Sequence, residues 1–236
     1  MIRHATIGYK TGIVLCVLLY CVCFAHAQNA DKYFEGTVTY SIEYAPLMEN
    51  VLIDKIQDYF GTQLVFSMRN GFTKKVFSDR NGKIVQTRFF DPVNNISSYF
   101  SNRNDTLYQY HPYKNDFNTL AYEKLKDTVI DGITLQGTKV VGKSKTDAKR
   151  DVLTYCYYFD KKLKVDPSYF KRCNEGEWAK IIEQYKSVLY YYTIQHGDVF
   201  IAKYKAIKIT PQHIDQNFFI LPTNYFLQNI DDRSGL

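Results

Sequence analysis

Histidine and cysteine are scarce in this sequence, five of each in 236 residues, and the scarcity narrows the chemistry it can carry. Hydrolysis by nucleophilic attack needs a nucleophile, a base and a group that orients the base. The G-x-S-x-G elbow is missing, His196 falls in a turn, and His111 stands before Pro112 in an unrelated stretch. No catalytic residue is assigned, and the chain reads as non-enzymatic. A structural zinc wants four ligands at tight spacings. Cys156, Cys173, His111, His196 and His213 are too dispersed for that, so no metal and no cofactor are expected. A clustered basic stripe, the footprint of nucleic-acid binding, is also lacking. Without Arg3 and Lys10 the formal charge of +6 becomes +4, and the remaining lysines are scattered among acids.

Long apolar runs are lacking too. The longest, "TGIVLCVLLYCVCF", falls short of the roughly 20 residues that a membrane-spanning helix requires. It follows "MIRHATIGYK", which carries Arg3 and Lys10 and no acid, and it precedes the small pair of Ala25-His26-Ala27. Charged, apolar and small segments in that order read as a secretory signal peptide over residues 1–27, cleaved after Ala27. Cys21 and Cys23 are not preceded by the small residue of a lipidation site, so no lipid anchor is expected. Residues 28–236 then form a single β-rich domain, exported to the periplasm of a Gram-negative bacterium or secreted. Cys156 and Cys173 remain in a compartment where a disulfide can persist. They are a disulfide candidate, with buried free thiols as the alternative.

What the sequence does contain is alternation. "YFEGTVTYSIEY" places Val38, Tyr40 and Ile42 on one side and Thr37, Thr39 and Ser41 on the other, a half-buried strand. "PLMENVLIDKIQDYFG" changes period: Leu47, Met48, Val51, Leu52, Ile56, Tyr59 and Phe60 recur at helical spacing, from Pro46 to Gly61. Asp54 and Asp58 occupy its polar face. A meander follows, with Asn70-Gly71, Asn81-Gly82 and Asp131-Gly132 as turns and strands around Ile96–Ser101, Thr106–His111 and Leu120–Leu125. "NIS" at Asn95 and "NDT" at Asn104 match the glycosylation pattern. Trp178, Ile181, Ile182 and Tyr185 make one stripe of a second helix, with Asn174 and Glu177 as a capping box. The predicted fold is mainly β: a curved antiparallel half-barrel with two helices plugging or covering its concave face.

The last hairpin, "SVLYYYTIQHGDVFIAKYKAIKIT", is apolar on both sides. Strict alternation places Val188, Tyr190, Tyr192 and Ile194 on one face of the first arm, and Phe200, Ala202, Tyr204 and Ala206 on one face of the second. A sealed void behind that face is excluded on magnitude. A ligand-sized cavity of about 300–1,000 Å³, at about 24 cal/mol per Å³, would cost roughly 7–24 kcal/mol against a total stability of about 5–15 kcal/mol. The concavity is packed, wet or occupied.

Together with the signal peptide, the opening Phe34, Gly36 and Tyr40 (F-x-G-x-x-x-Y), the early and late helices and the closing "KAIKIT…NFFILPTNY" resemble the LolA-like superfamily of periplasmic half-barrel carriers of lipoproteins and lipids. Exported Bacteroidetes proteins of unknown function look similar. The resemblance implies a curved sheet with helices in its mouth that binds acyl chains without a cofactor. The candidate ligand-binding residues are Val51 and Ile56 on the early helix, Trp178, Ile181 and Ile182 on the late one, and Tyr190, Tyr192 and Phe200 on the hairpin. Each also reads as plain core. The expected ligand is a lipid, an acyl chain or an acylated protein, bound by a monomer. The alternative is an interaction module of the cell envelope with a packed core and a protein partner.

Overall fold

The protein is described from a computed structural model over residues 33–112, 117–144 and 152–230. The predicted signal peptide and most of the lysine-rich loop after Gly142 lie outside those residues. In chain order the elements are β1 (Gly36–Pro46), α1 (Ile53–Phe60), β2 (Gln63–Arg69), β3 (Phe72–Ser78), β4 (Ile84–Asp91), β5 (Ile96–Ser101) and β6 (Thr106–Tyr110). Then come β7 (Phe117–Ile130), β8 (Ile133–Ser144), β9 (Leu153–Lys164), 3-10 turns at Pro167–Phe170 and Glu175–Glu177, and α2 (Trp178–Tyr185). The chain ends with β10 (Ser187–His196), β11 (Phe200–Pro211), a 3-10 turn at Gln216–Phe219 and β12 (Phe226–Asn229).

All twelve strands join one sheet, ordered β12-β6-β5-β4-β3-β2-β1-β11-β10-β9-β8-β7. The expected mainly-β half-barrel with two α-helices is thus the architecture observed. One edge departs from the antiparallel rule: β12 pairs with β6 in parallel. That edge forms because the segment after β11 crosses the outer face of the sheet before it reaches β6. Phe219 packs on Phe72 and Tyr225 on Phe100, with ring centroids 6.1 and 4.4 Å apart. The chain itself therefore covers part of the second apolar face.

Cross-strand register fixes which side chains share the inner face. One row runs Ile42, Tyr204, Tyr192, Tyr157, Thr138 from β1 to β8. A second runs Val38, Phe66, Lys75, Arg88, Tyr99, Tyr108 from β1 to β6. Strands β4 and β10 stand five places apart, roughly 24 Å across a flat sheet at about 4.8 Å per strand. Yet the Arg88 charge acts on the hydroxyls of both Tyr192 and Tyr204. The sheet is curved, and this face is its concave side.

Local chemistry explains the turns. Asn70 and Gly71 both take positive φ, 48° and 78°, as a two-residue hairpin turn demands. A Cβ on Gly71 would also lie 2.4 Å from the Tyr169 side chain, so this turn docks on the 3-10 turn beneath it. Asn81-Gly82 is a longer loop than the expected tight turn. Only Gly82 has positive φ there, and the Asp79 carboxylate holds the loop by accepting from the backbone N–H of Asn81 and Lys83. The opening motif has a physical basis as well. Gly36 has φ 148°, and a Cβ there would sit 2.3 Å from the Thr210 carbonyl oxygen. Tyr40 lies over the small Ala206, its register partner, and its hydroxyl donates to the Leu189 carbonyl at 2.6 Å.

Several expectations are corrected. The early helix does not begin at Pro46, which instead ends β1 opposite Phe200. Asn50, at φ 67°, breaks the helical path, leaving Leu47, Met48 and Leu52 exposed. The late helix lacks its capping box: the Asn174 side chain makes no cap hydrogen bond, and Glu177 is left-handed at φ 65°. Strict alternation also fails in β10. Leu189 faces Phe159 and Tyr191 faces Tyr158, so β10 holds one residue more than β9 between those pairs. Tyr190 is that residue, a β-bulge that re-aims its side chain. Cys156 and Cys173 are free thiols: Cys156 alternates with Tyr155 and Tyr157 in β9, whereas Cys173 lies buried after the first 3-10 turn. Asn95 is buried, and its amide donates to the Arg172 carbonyl at 3.2 Å, which removes it as a glycan acceptor.

Candidate functional site

Two short helices and one 3-10 turn stand over the concave face. From α1, Phe60 packs 6.0 Å from Phe200, and the Tyr44 hydroxyl donates to the Gly61 carbonyl at the helix end. From the 3-10 turn, Phe170 stacks on Phe90 at 5.6 Å. From α2, Trp178 meets Tyr157 edge-on at 6.0 Å, Tyr185 stacks on Phe159 at 4.4 Å, and the Tyr185 hydroxyl donates to the Gly137 carbonyl. Aromatic pairs of this geometry add about 0.5–1.5 kcal/mol each beyond buried area. They fix α2 in particular.

The structure gathers most of the sequence-predicted residues. Ile56, Trp178, Ile182, Tyr190, Tyr192 and Phe200 belong to one apolar cluster, and Ile181 to a neighbouring one with Val140, Tyr157 and Phe159. Within the gathering their situations differ. Ile181 and Ile182 are 0% and 1% exposed and serve as core. Tyr192 is half-buried and stacks on Tyr204 at 4.2 Å, with Tyr40 edge-on at 5.8 Å. Tyr190 leaves the wall: its hydroxyl donates to Asp131, the carboxylate that also pairs with Lys205 at 2.9 Å. Val51 sits in the loop before α1, half-buried and outside both clusters.

Burial raises the hydroxyl pKa of Tyr40, Tyr157 and Tyr192, and that of Tyr204 to about 12. The tyrosine wall is neutral at any physiological pH. Burial likewise lifts the Cys173 thiol to about 12, which leaves it an unreactive core group. Among the described residues, no cluster of three His, Cys, Asp or Glu side chains could hold a metal ion.

Sequence reasoning missed two neighbouring cations of the inner face. Lys75 on β3 and Arg88 on β4 are direct register partners. Burial, with the Arg88 charge beside it, holds the Lys75 ammonium below the usual lysine pKa, against the pull of Glu175. Arg88 is exposed although it points into the concavity, so water reaches the groove at this point. A faint signal existed: Lys75 is in phase with Phe77 and Thr73, and Arg88 with Phe90.

No protein-family model matches the chain, and no curated protein matches it. Among solved structures it is similar to the crystal structure of the Mycobacterium tuberculosis lipoprotein LppX. The similarity covers 81% of this chain and 94% of that one, at a TM-score of 0.36 and 9% sequence identity.

Proposed function

We propose that this chain is an exported, non-enzymatic binding protein that holds a lipid, an acyl chain or an acylated protein against the concave face of its sheet. One observation carries the reading. The concave face is open to water at Arg88 and is lined by the half-buried rings of Tyr192 and Phe66, backed by the buried rings of Tyr40, Tyr204, Phe77 and Phe90. An aromatic-lined concavity with a few polar groups is the ordinary form of a small-molecule site. Each methylene that an acyl chain buries there contributes about 0.8 kcal/mol. Export rests on the charged, apolar and small segments of residues 1–27.

Native mass spectrometry of the protein purified from envelope, followed by lipid extraction, tests this. Co-purified acyl species and a thermal shift with lipids or acylated peptides are expected. A clean apo mass with no shift would favour a second reading, an envelope interaction module with a packed core. The burial of Ile181 and Ile182 on the inner side of α2 is the observation in favour of that alternative.

A further inference from the structure

We infer that Lys75 and Arg88 form the seat for the acidic head group of the bound amphiphile, a carboxylate or a phosphate. This rests on the reading of the concave face as a ligand groove and adds the class of ligand.

The first observation is the register. Lys75 and Arg88 face each other directly across β3 and β4, on the inner side of the sheet. Like charges directly opposite in a sheet are destabilising, so this pair opposes folding unless an anion joins it. The second is what surrounds them. Phe66 and Tyr99 flank the pair in the same row, and the Arg88 guanidinium lies 5.5 Å from the Phe77 ring centroid. Neither cation makes an ion pair among the described residues. Glu175 acts on Lys75 electrostatically, but its two oxygens accept from the Tyr110 hydroxyl at 3.2 and 3.0 Å. One carboxylate set against two cations leaves the site net positive.

The third observation is unused donor capacity. The Arg88 Nε–H donates to Gln86 at 2.8 Å, and its terminal nitrogens make no hydrogen bond to the described residues. A guanidinium presents a planar fork that matches two oxygens of a carboxylate or phosphate, and an ammonium adds a compact point charge. Both heads share the two-oxygen edge that such a fork takes. The Arg88 charge is also felt at the Tyr192 and Tyr204 hydroxyls, so an anion held here lies at one end of the aromatic wall. The attached chain would run along that wall.

The test uses the full protein with three probes of equal chain length: palmitate, hexadecyl phosphate and uncharged methyl palmitate. Wild type is expected to bind one or both acids at least tenfold more tightly than the ester, and the tighter acid identifies the head. K75M, R88Q and the double variant should lose that preference, keep the ester's affinity, and melt at the wild-type temperature or above, since the opposed charges are relieved. Equal affinity for acids and ester in wild type would overturn the head-group seat while leaving the groove intact. Binding of no probe at all would remove the groove reading and this one with it. Loss of thermal stability in K75M and R88Q alongside loss of binding would also overturn it, because the cations would then hold the fold rather than the ligand.

Discussion

The two helices over the concave face are both eight residues long and both amphipathic, yet they are held in opposite ways. Isolated helices of that length are unstable in water, and tertiary packing supplies their stability. Helix α2 has that packing: Ile181 and Ile182 are buried, and Trp178 and Tyr185 engage rings of β9. Helix α1 has no fully buried residue. It rests on partly covered Ile56 and Phe60 and on an exposed ion pair between Arg80 and Asp54 at 2.9 Å. The difference teaches that amphipathic pattern alone does not say which helix is structure and which can yield. Helix α2 is fixed by its own packing, whereas α1 is the more loosely held of the two.

The largest expected effect lies on α2. Ile182→Ala should cost about 2–5 kcal/mol, the range for a buried isoleucine without local collapse, read by chemical denaturation; a loss below 1 kcal/mol would erase the contrast. Next is the exit from α2, where the Ser187 hydroxyl donates to the Asp160 carbonyl. Ser187→Ala should cost about 1–3 kcal/mol, because buried carbonyls lose their donor. On the other helix, Phe60→Ala should cost only about 1 kcal/mol, in line with partial burial, and should speed amide exchange in α1 while α2 stays protected.

A pH dependence sharpens the same difference. His196 stacks on Phe200 at 4.5 Å beneath Phe60 of α1, at 6.1 Å, and burial lowers its pKa below the ordinary histidine value. The folded state therefore binds fewer protons than the unfolded one near pH 6.5. The stability from neutral His196 is complete above the unfolded pKa and is lost as pH falls through the depressed folded value. Melting curves of wild type should drop across that window and those of His196→Gln should drop less. The smallest effect is on the rim: Arg80→Ala should leave the melting temperature unchanged, since exposed ion pairs contribute little.

Much of the sheet was legible because alternation reports half-burial. Ile96–Ser101 was bounded correctly as β5, and the Asn70-Gly71 and Asp131-Gly132 turns follow from residues that tolerate positive φ. The early helix was read too long because Leu47, Met48 and Leu52 recur at helical spacing while standing in an exposed loop. Periodicity cannot see that Pro46 is committed to β11 or that Asn50 turns the backbone. The cations of the candidate site were illegible for a related reason. Strand β3 has apolar residues in both phases, Phe77 in one and Val76 in the other, so neither face is marked as inner. A lysine in such a strand carries no mark of the inner face. Tyr190 was misplaced by one extra residue in β10, which no side-chain pattern announces.

The central strand β1 joins two halves of the sheet, pairing with β2 on one side and with β11 on the other, where Gly36 lies opposite Pro211. During synthesis the β2–β6 meander can form from neighbouring segments, but the seam must wait for a strand some 170 positions downstream. Closure over such a separation slows folding markedly. A polypeptide with this delay spends its early life with one edge of β1 unpaired, the state most open to pairing with a strand of another chain.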